Sequence, residues 1–272
     1  MGSGFPDRPP QTQQRRPFFG PPAACGLLSW AGVRRTEKPQ DKEQPAMPDA
    51  ATQVIEIPAE RQGEAAGLLA RAFAHDPLML HLFDGGPGYR ARLTGFLRYT
   101  CEVQLAMGWP LLGLVPRTRL AAVAAVTPPE PAPWPEALTE RYTALAARLS
   151  PQQRERLECY AALPGARMPD TPLFYVGMIG VRPESQGRGY ARRLLDEIHR
   201  RAAAHPSTTG VGLDTENKAN VQLYQHLGYR VVGRMPFNGL TIWCLFRPNQ
   251  QETQVRTLTQ SRNDAKTQRP AR

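Results

Sequence analysis

Gln186-Gly187-Arg188-Gly189-Tyr190-Ala191 sets two glycines, one residue apart, where a strand-like run gives way to a helix-like one. Glycines at such a junction let the backbone come close to a ligand. The first N–H groups of the following helix lack partners of their own and carry the positive end of its dipole. The chemistry this suits is anion binding, with a phosphate or pyrophosphate as the natural guest. A Walker loop would need Lys-Ser or Lys-Thr after the second glycine, where this chain has Tyr190-Ala191. A dinucleotide fingerprint would need a third spaced glycine, which is missing. The competing reading is a glycine-rich turn that opens an ordinary helix.

The elements around the loop must hold it in place. Phe174–Val181 is apolar on both faces, as a buried central strand requires. After Tyr190, apolar residues recur at Ala191, Leu194, Leu195 and Ile198, which is helical spacing with one buried face. Upstream, the pattern predicts a strand over Gln53–Ile57, a helix over Glu60–Ala74 and a break at His75-Asp76-Pro77. Helices over Leu78–Phe83 and Gly88–Met107 follow, then a hairpin of Pro110–Val115 and Arg119–Val126. After a proline-rich break, helices are predicted over Glu136–Leu149 and Gln152–Leu163, the second opened by Ser150-Pro151 as cap and first-turn proline. Downstream come a strand over Thr209–Asp214, a helix over Asn217–Leu227 and a last hairpin, Tyr229–Arg234 with Leu240–Phe246, around a loop at Met235–Gly239. Strands alternating with helices and framed by hairpins predict a mixed α/β sheet with helices on both faces.

Length and composition narrow the function. The 272 residues suffice for one or two domains with a sizeable core. No apolar run approaches the ~20 residues of a membrane span. Cys25, Cys101, Cys159 and Cys244 are scattered without a C-x-x-C pair, which favours free thiols in a reducing cytoplasm. The five histidines show no ligand spacing, so no metal is expected. The net charge of +10 is unevenly spread: about +2 lies in residues 1–50 and about +4 from Arg247 onward. Residues 1–50 and 249–272 are polar, without periodicity, and are expected to be disordered. Met47, just before the first strand, is a candidate start of translation.

The pattern Gln-x-x-Gly-x-Ala, preceded by a strand ending Gly180-Val181-Arg182-Pro183, resembles the pyrophosphate loop of the GNAT superfamily of acetyl-CoA-dependent N-acyltransferases. The order of elements over residues 53–247 is the order expected of that fold, a partly splayed sheet in one domain, 51–248, with a helical insert at 136–163. Asp76-Pro77, the insert, Leu223-Tyr224…Leu227-Gly228-Tyr229 and Thr241-Ile242-Trp243-Cys244 together look like the puromycin N-acetyltransferase-like branch.

The resemblance implies a site. Acetyl-CoA would be the co-substrate, its pyrophosphate on the backbone N–H groups of Gly187, Arg188, Gly189, Tyr190 and Ala191, with Gln186 framing the loop. Arg192 and Arg193 face either the adenosine phosphates or solvent. The pantetheine would pair like a strand with Met178, Ile179, Gly180 and Val181, if the next strand splays away. Gly177 and Gly180 permit a bulge there or mark tight packing. A main-chain N–H near Met178 or Ile179 would hold the oxyanion. Tyr224, with an ordinary pKa of ~10 above the ~8.5 of a thiol, is the candidate acid for the leaving thiolate, against a reading as plain core. Asn217 is a cofactor contact by resemblance and a helix cap by position. Asp214 is the candidate base, with Glu216 beside it; both also suit a capping role. Cys244 has no adjacent histidine, so covalent catalysis is rejected.

The reading is a cytoplasmic N-acetyltransferase in which an amine, a small molecule in preference to a peptide, attacks acetyl-CoA directly in a ternary complex. The acceptor pocket is expected between the helix at Leu78–Phe83, the insert helices and the loop Met235–Gly239. No membrane and no specific nucleic acid is expected as partner, and homodimerisation is left open. Two rivals remain: a silent acyl-CoA-binding module, which would not need Tyr224, and a basic nucleic-acid binder acting through its tails. The tails lack aromatic interleaving and any groove-reading helix pattern.

Overall fold

The computed structural model describes residues 53–249 apart from 131, 162 and 164–166. The expected disorder of residues 1–50 and of the tail, Cys25 and the start at Met47 lie outside the described residues.

Among the described residues, seven strands form one sheet in the order β1-β2-β3-β4-β5-β7-β6. They are β1 (Val54–Glu56), β2 (Leu111–Leu114), β3 (Ala122–Thr127), β4 (Phe174–Val181), β5 (Gly210–Thr215), β6 (Arg230–Phe237) and β7 (Leu240–Pro248). Only β4 and β5 run parallel; every other neighbouring pair is antiparallel. Among the described residues, seven α-helices cover the sheet: α1 (Gln62–Ala72), α2 (Pro77–Phe83), α3 (Tyr89–Ala106), α4 (Glu136–Ala146), α5 (Pro151–Ala161), α6 (Tyr190–Ala204) and α7 (Lys218–His226).

The sheet separates two cores. On one side α1, α2, α3 and the insert helices α4 and α5 bury Leu68, Phe73, Met79, Phe96 and Tyr160 against Met178 and Cys244. On the other, α6 and α7 bury Leu194, Leu195, Ile198, Val221 and Tyr224 against Ile179, Leu213 and Leu245. Each fully buried Leu or Ile on α6 contributes ~2 kcal/mol of transfer energy, so α6 is firmly held behind the glycine loop. His199 on α6 lies 2.8 Å from the Tyr229 hydroxyl. Burial, followed by the Arg247 charge, depresses its pKa to about 3, so it is a neutral core histidine.

Local signals explain most boundaries. Ser150 and Gln153 form a reciprocal capping box: Gln153 N–H donates to Ser150 Oγ at 3.2 Å and Ser150 N–H to Gln153 Oε1 at 3.0 Å. The break at His75-Asp76-Pro77 is also a start, since Asp76 caps α2 and Pro77 is its first residue. The expected loop at Met235–Gly239 is mostly strand. β6 runs to Phe237, and only Asn238 (φ 46°) and Gly239 (φ 85°) turn the chain. Two consecutive left-handed residues are what a type I′ hairpin demands, and Pro236 is tolerated because β6 is the sheet edge.

Candidate active site

At the end of β4 the chain turns through Pro183–Ser185 and Gln186 into α6. Arg182, buried at the start of this turn, donates from Nε (2.9 Å) and Nη2 (2.7 Å) to Leu120 O, tying the turn to β3. Gln186 Nε2 reaches back to Val181 O at 3.4 Å. Gly187 (φ 78°) and Gly189 (φ 73°) are both left-handed, where any side chain would be strained. The first bond inside α6 is Arg193 N–H to Gly189 O at 3.1 Å. The N–H groups of Tyr190, Ala191 and Arg192 precede it, at the positive end of a 15-residue helix. Gly187, Arg188 and Gly189 are exposed, Tyr190 and Ala191 buried beneath them. Arg192 pairs with Asp196 at 3.9 Å on a solvated face, which agrees with the surface reading.

β4 and β5 pair only at Phe174↔Val211 and Tyr175↔Gly212. Beyond Tyr175 the strands part, while β4 stays bound to β3 as far as Val181 and β5 to β7 as far as Thr215. The side of β4 from Val176 to Val181 that would face β5 is therefore an open edge, with alternate residues aiming N–H and C=O into the gap. The register shows where the strand changes phase. Ala125 pairs with Met178 and Val126 with Val176, leaving Gly177 as the extra residue of a bulge. Tyr175 and Met178, three apart, consequently face the same side. Gly180 serves differently: a Cβ there would meet Leu69 Cδ2 at 2.9 Å and Ala72 Cβ at 3.1 Å, so it admits α1.

Beside the point where the strands part lies a buried cluster of acids and tyrosines. Asp214, fully buried, accepts from Tyr160 Oη at 2.5 Å on Oδ2 and from Tyr175 Oη on Oδ1. Tyr160 Oη also lies 2.7 Å from Glu216 Oε1. One phenol has one proton, so Tyr160 can serve the two carboxyls fully only if one of them is protonated. Burial, opposed by the two tyrosine hydrogen bonds, raises Asp214 to about 7. Glu216 is pushed well above the carboxylate range, first by burial and then by the charges of Asp214 and Asp76. Asp76 is raised to about 7, because burial outweighs the Met79 and Leu78 backbone N–H groups. Its Oδ1 accepts from Met79 N–H at 3.0 Å. Asp76 Oδ2 and Glu216 Oε2 are buried without a hydrogen-bond partner among the described residues.

Tyr224 on α7 is fully buried, its ring 5.6 Å from that of Tyr229. Burial, then the charges of Asp214 and Glu216, push its hydroxyl up, so it stays protonated and lies within electrostatic reach of both acids. Asn217 caps α7, its Oδ1 accepting from Ala219 N–H at 2.9 Å. Cys244, paired across the ladder with Asp214, has its thiol raised to about 12 by burial followed by the same two carboxylates, which leaves it a poor nucleophile.

A cleft of about 360 Å³, lined by Glu155, Arg156, Cys159, Pro236, Phe237 and Asn238 among others, shares no residue with the cluster and meets it through Phe237. The Phe237 ring is edge-on to Tyr160 at 5.5 Å and to His81 at 5.4 Å, so α2, α5 and the β6–β7 hairpin meet there. A larger cavity of about 1000 Å³ between α3 and α4, bordered by Arg90, Arg98, Arg141 and Arg148, shares no residue with the cluster. Among the described residues, no three His, Cys, Asp or Glu side chains converge as metal ligands. No described helix is long and apolar enough to cross a membrane.

Residues 154–231 match the family profile of the acetyltransferase (GNAT) domain. Among solved structures, the chain is similar to histone acetyltransferase HPA2 and related acetyltransferase from Corynebacterium glutamicum, with 17% identity over 73% of this chain and 96% of that one, at a TM-score of 0.56. It is also similar to arylalkylamine N-acetyltransferase 2 from Aedes aegypti, with 10% identity over 74% and 100% of the two chains, at a TM-score of 0.51. The fold is that of a GNAT acetyltransferase. Comparison with curated protein sequences finds no significant match.

Within this GNAT fold, the structure brings the glycine loop, Met178–Val181, Asp214 and Tyr224 around one split in the sheet. Asn217 sits at the rim, already used as a cap. Sequence reasoning missed Tyr160, Tyr175 and the buried role of Asp76. Asp76-Pro77 was visible as a helix boundary, and a cap aspartate before an apolar helix was the available signal. Nothing local marked either tyrosine as different from core.

Proposed function

We propose that this chain is an acetyl-CoA-dependent N-acetyltransferase that passes the acetyl group directly to an amine in a ternary complex. The observation that carries the reading is the split between β4 and β5, flanked at one end by the glycine loop and at the other by the buried acids. The pyrophosphate rests on the backbone N–H groups from Gly187 to Ala191, framed by Gln186 and Arg188. The pantetheine extends along the open edge at Met178, Ile179, Gly180 and Val181, as an added strand would. This places the thioester toward the closed end of the split, where β4 and β5 begin to part. There a β4 N–H beside the Gly177 bulge is offered to the oxyanion.

The proton count assigns the side chains. The ammonium nitrogen gives one proton to the carboxyl cluster that includes Asp214, and its freed lone pair forms the C–N bond. The C–S bond then breaks, and Tyr224 protonates the thiolate; the second proton from nitrogen restores the tyrosine. One proton in net leaves through the carboxyls to solvent. Tyr224 favours catalysis over a silent acyl-CoA-binding module, because it stays protonated beside both acids.

The acceptor enters by the cleft between α5 and the β6–β7 hairpin, whose volume suits a small amine. The likeness to the puromycin N-acetyltransferase-like branch points the same way. Free-thiol release from acetyl-CoA, measured against alkylamines, aminonucleosides and peptides, tests the reading. Turnover with at least one amine is expected. Coenzyme hydrolysis at the same rate with and without every amine contradicts it.

A further inference from the structure

The two acids beside the split are not equivalent. Asp214 has both oxygens occupied, by the hydroxyls of Tyr160 and Tyr175. Glu216 has one oxygen on Tyr160 and the other, Oε2, unpartnered among the described residues, although the residue is only 7% exposed. Asp76, 3% exposed, likewise keeps Oδ2 unpartnered, and its charge acts on Glu216. Two buried carboxyl oxygens without partners are costly unless a donor arrives, and a protonated amine is such a donor.

Resting on the acetyltransferase reading, we propose that Glu216 Oε2 is the atom that takes the acceptor's proton and that Tyr160 relays it to Asp214, with Asp76 helping to seat the ammonium group. The acceptor class is then a primary alkylamine that is cationic in solution.

The relay balances. At rest, Glu216 Oε1–H donates to Tyr160 Oη, and Tyr160 Oη–H donates to Asp214 Oδ2, which bears the negative charge. An N–H bond of the ammonium breaks as an O–H bond forms on Glu216 Oε2. The Oε1 proton moves to Tyr160, and the Tyr160 proton to Asp214. The amine is left neutral and Asp214 uncharged; its proton is later lost to solvent. Asp214, which never meets the substrate, is a positioning residue and charge sink, held by Tyr175.

The groups facing the relay are consistent with this direction. They are Asp76 at the start of α2, Tyr175 from β4, Tyr224 from α7 and Cys244 from β7, with Arg167, which lies between α5 and β4, acting on Cys244. Tyr89 of α3 adjoins Asp76.

The test compares two acceptors with full-length protein. One is a cationic alkylamine; the other is methoxyamine, which is unprotonated at neutral pH and has no proton to hand over before attack. Tyr160→Phe should lower kcat/KM for the alkylamine by ~10²-fold, the usual worth of acid–base assistance, and for methoxyamine by far less. The alkylamine loss should shrink as pH rises and free amine accumulates. Glu216→Gln should show the same selective loss, which covers the case of a Tyr160→Phe protein that folds poorly by thermal melt. Equal losses for both acceptors in both variants overturn the relay while leaving the acetyltransferase reading intact. Failure of the unsubstituted protein to acetylate any amine sinks both.

Discussion

The two ends of the split are built on different plans. The proposed coenzyme end is made of backbone: two left-handed glycines, the first turn of α6 and the open edge of β4, all within residues 174–193. The proposed acceptor end is made of side chains from Asp76, Tyr160, Tyr175, Asp214 and Glu216, gathered from the cap of α2, from α5 and β4, and from the end of β5 and the residue after it. The backbone end offers a fixed field to a fixed ligand. At the side-chain end, burial raises Asp76 and Asp214 to about 7, where proton transfer is useful. One plan holds a constant partner; the other can be varied to suit an acceptor.

The sharpest way to break this contrast is at the backbone end. Gly189→Glu puts a side chain on a left-handed residue and a negative charge where phosphate should lie. A loss of acetyl-CoA affinity of ~10²-fold or more is expected by calorimetry. Unchanged affinity would separate the loop from the coenzyme.

Next is Tyr224→Phe, which removes a proton donor but little volume. It should lower kcat by ~10²-fold or more while leaving coenzyme affinity near normal. Full activity would return Tyr224 to the core.

A third test reads the acceptor end through stability. Asp76 has a folded-state pKa of about 7, raised from 3.8. Its ionisation is therefore harder in the folded chain, and stability is lost as pH rises from about 4 through about 7. Asn can still cap α2, so Asp76→Asn should melt near the unsubstituted protein at pH ~4 and about 5 °C above it at pH ~8. Equal shifts at both pH values would show that the carboxyl is not strained by burial.

The smallest effect is expected at Cys244. Cys244→Ala should leave turnover within about twofold, because the buried thiol is not a nucleophile; inactivation would demand a covalent route.

The same contrast explains what the sequence revealed. The β4–loop–α6 unit is local, so periodicity and two glycines disclosed it, together with the element order and the α/β sheet. The proton-handling cluster joins residues up to 140 positions apart, from Asp76 to Glu216. Tyr160 and Tyr175 each sit in a run that reads equally well as core, and only the folded sheet brings them to Asp214. Gly177 and Gly180 were legible as sites of a bulge or of tight packing; the register shift makes Gly177 the bulge, and the approach of α1 makes Gly180 the tight contact. The Asn238-Gly239 turn was open to view but masked by Pro236, which suggested a loop where an edge strand continues.

Calorimetric titration of the full chain with acetyl-CoA tests the central claim most directly. The account predicts saturable binding of one coenzyme per chain, lost when Gly189 is replaced by Glu. No heat at millimolar coenzyme, or binding indifferent to that substitution, would contradict it.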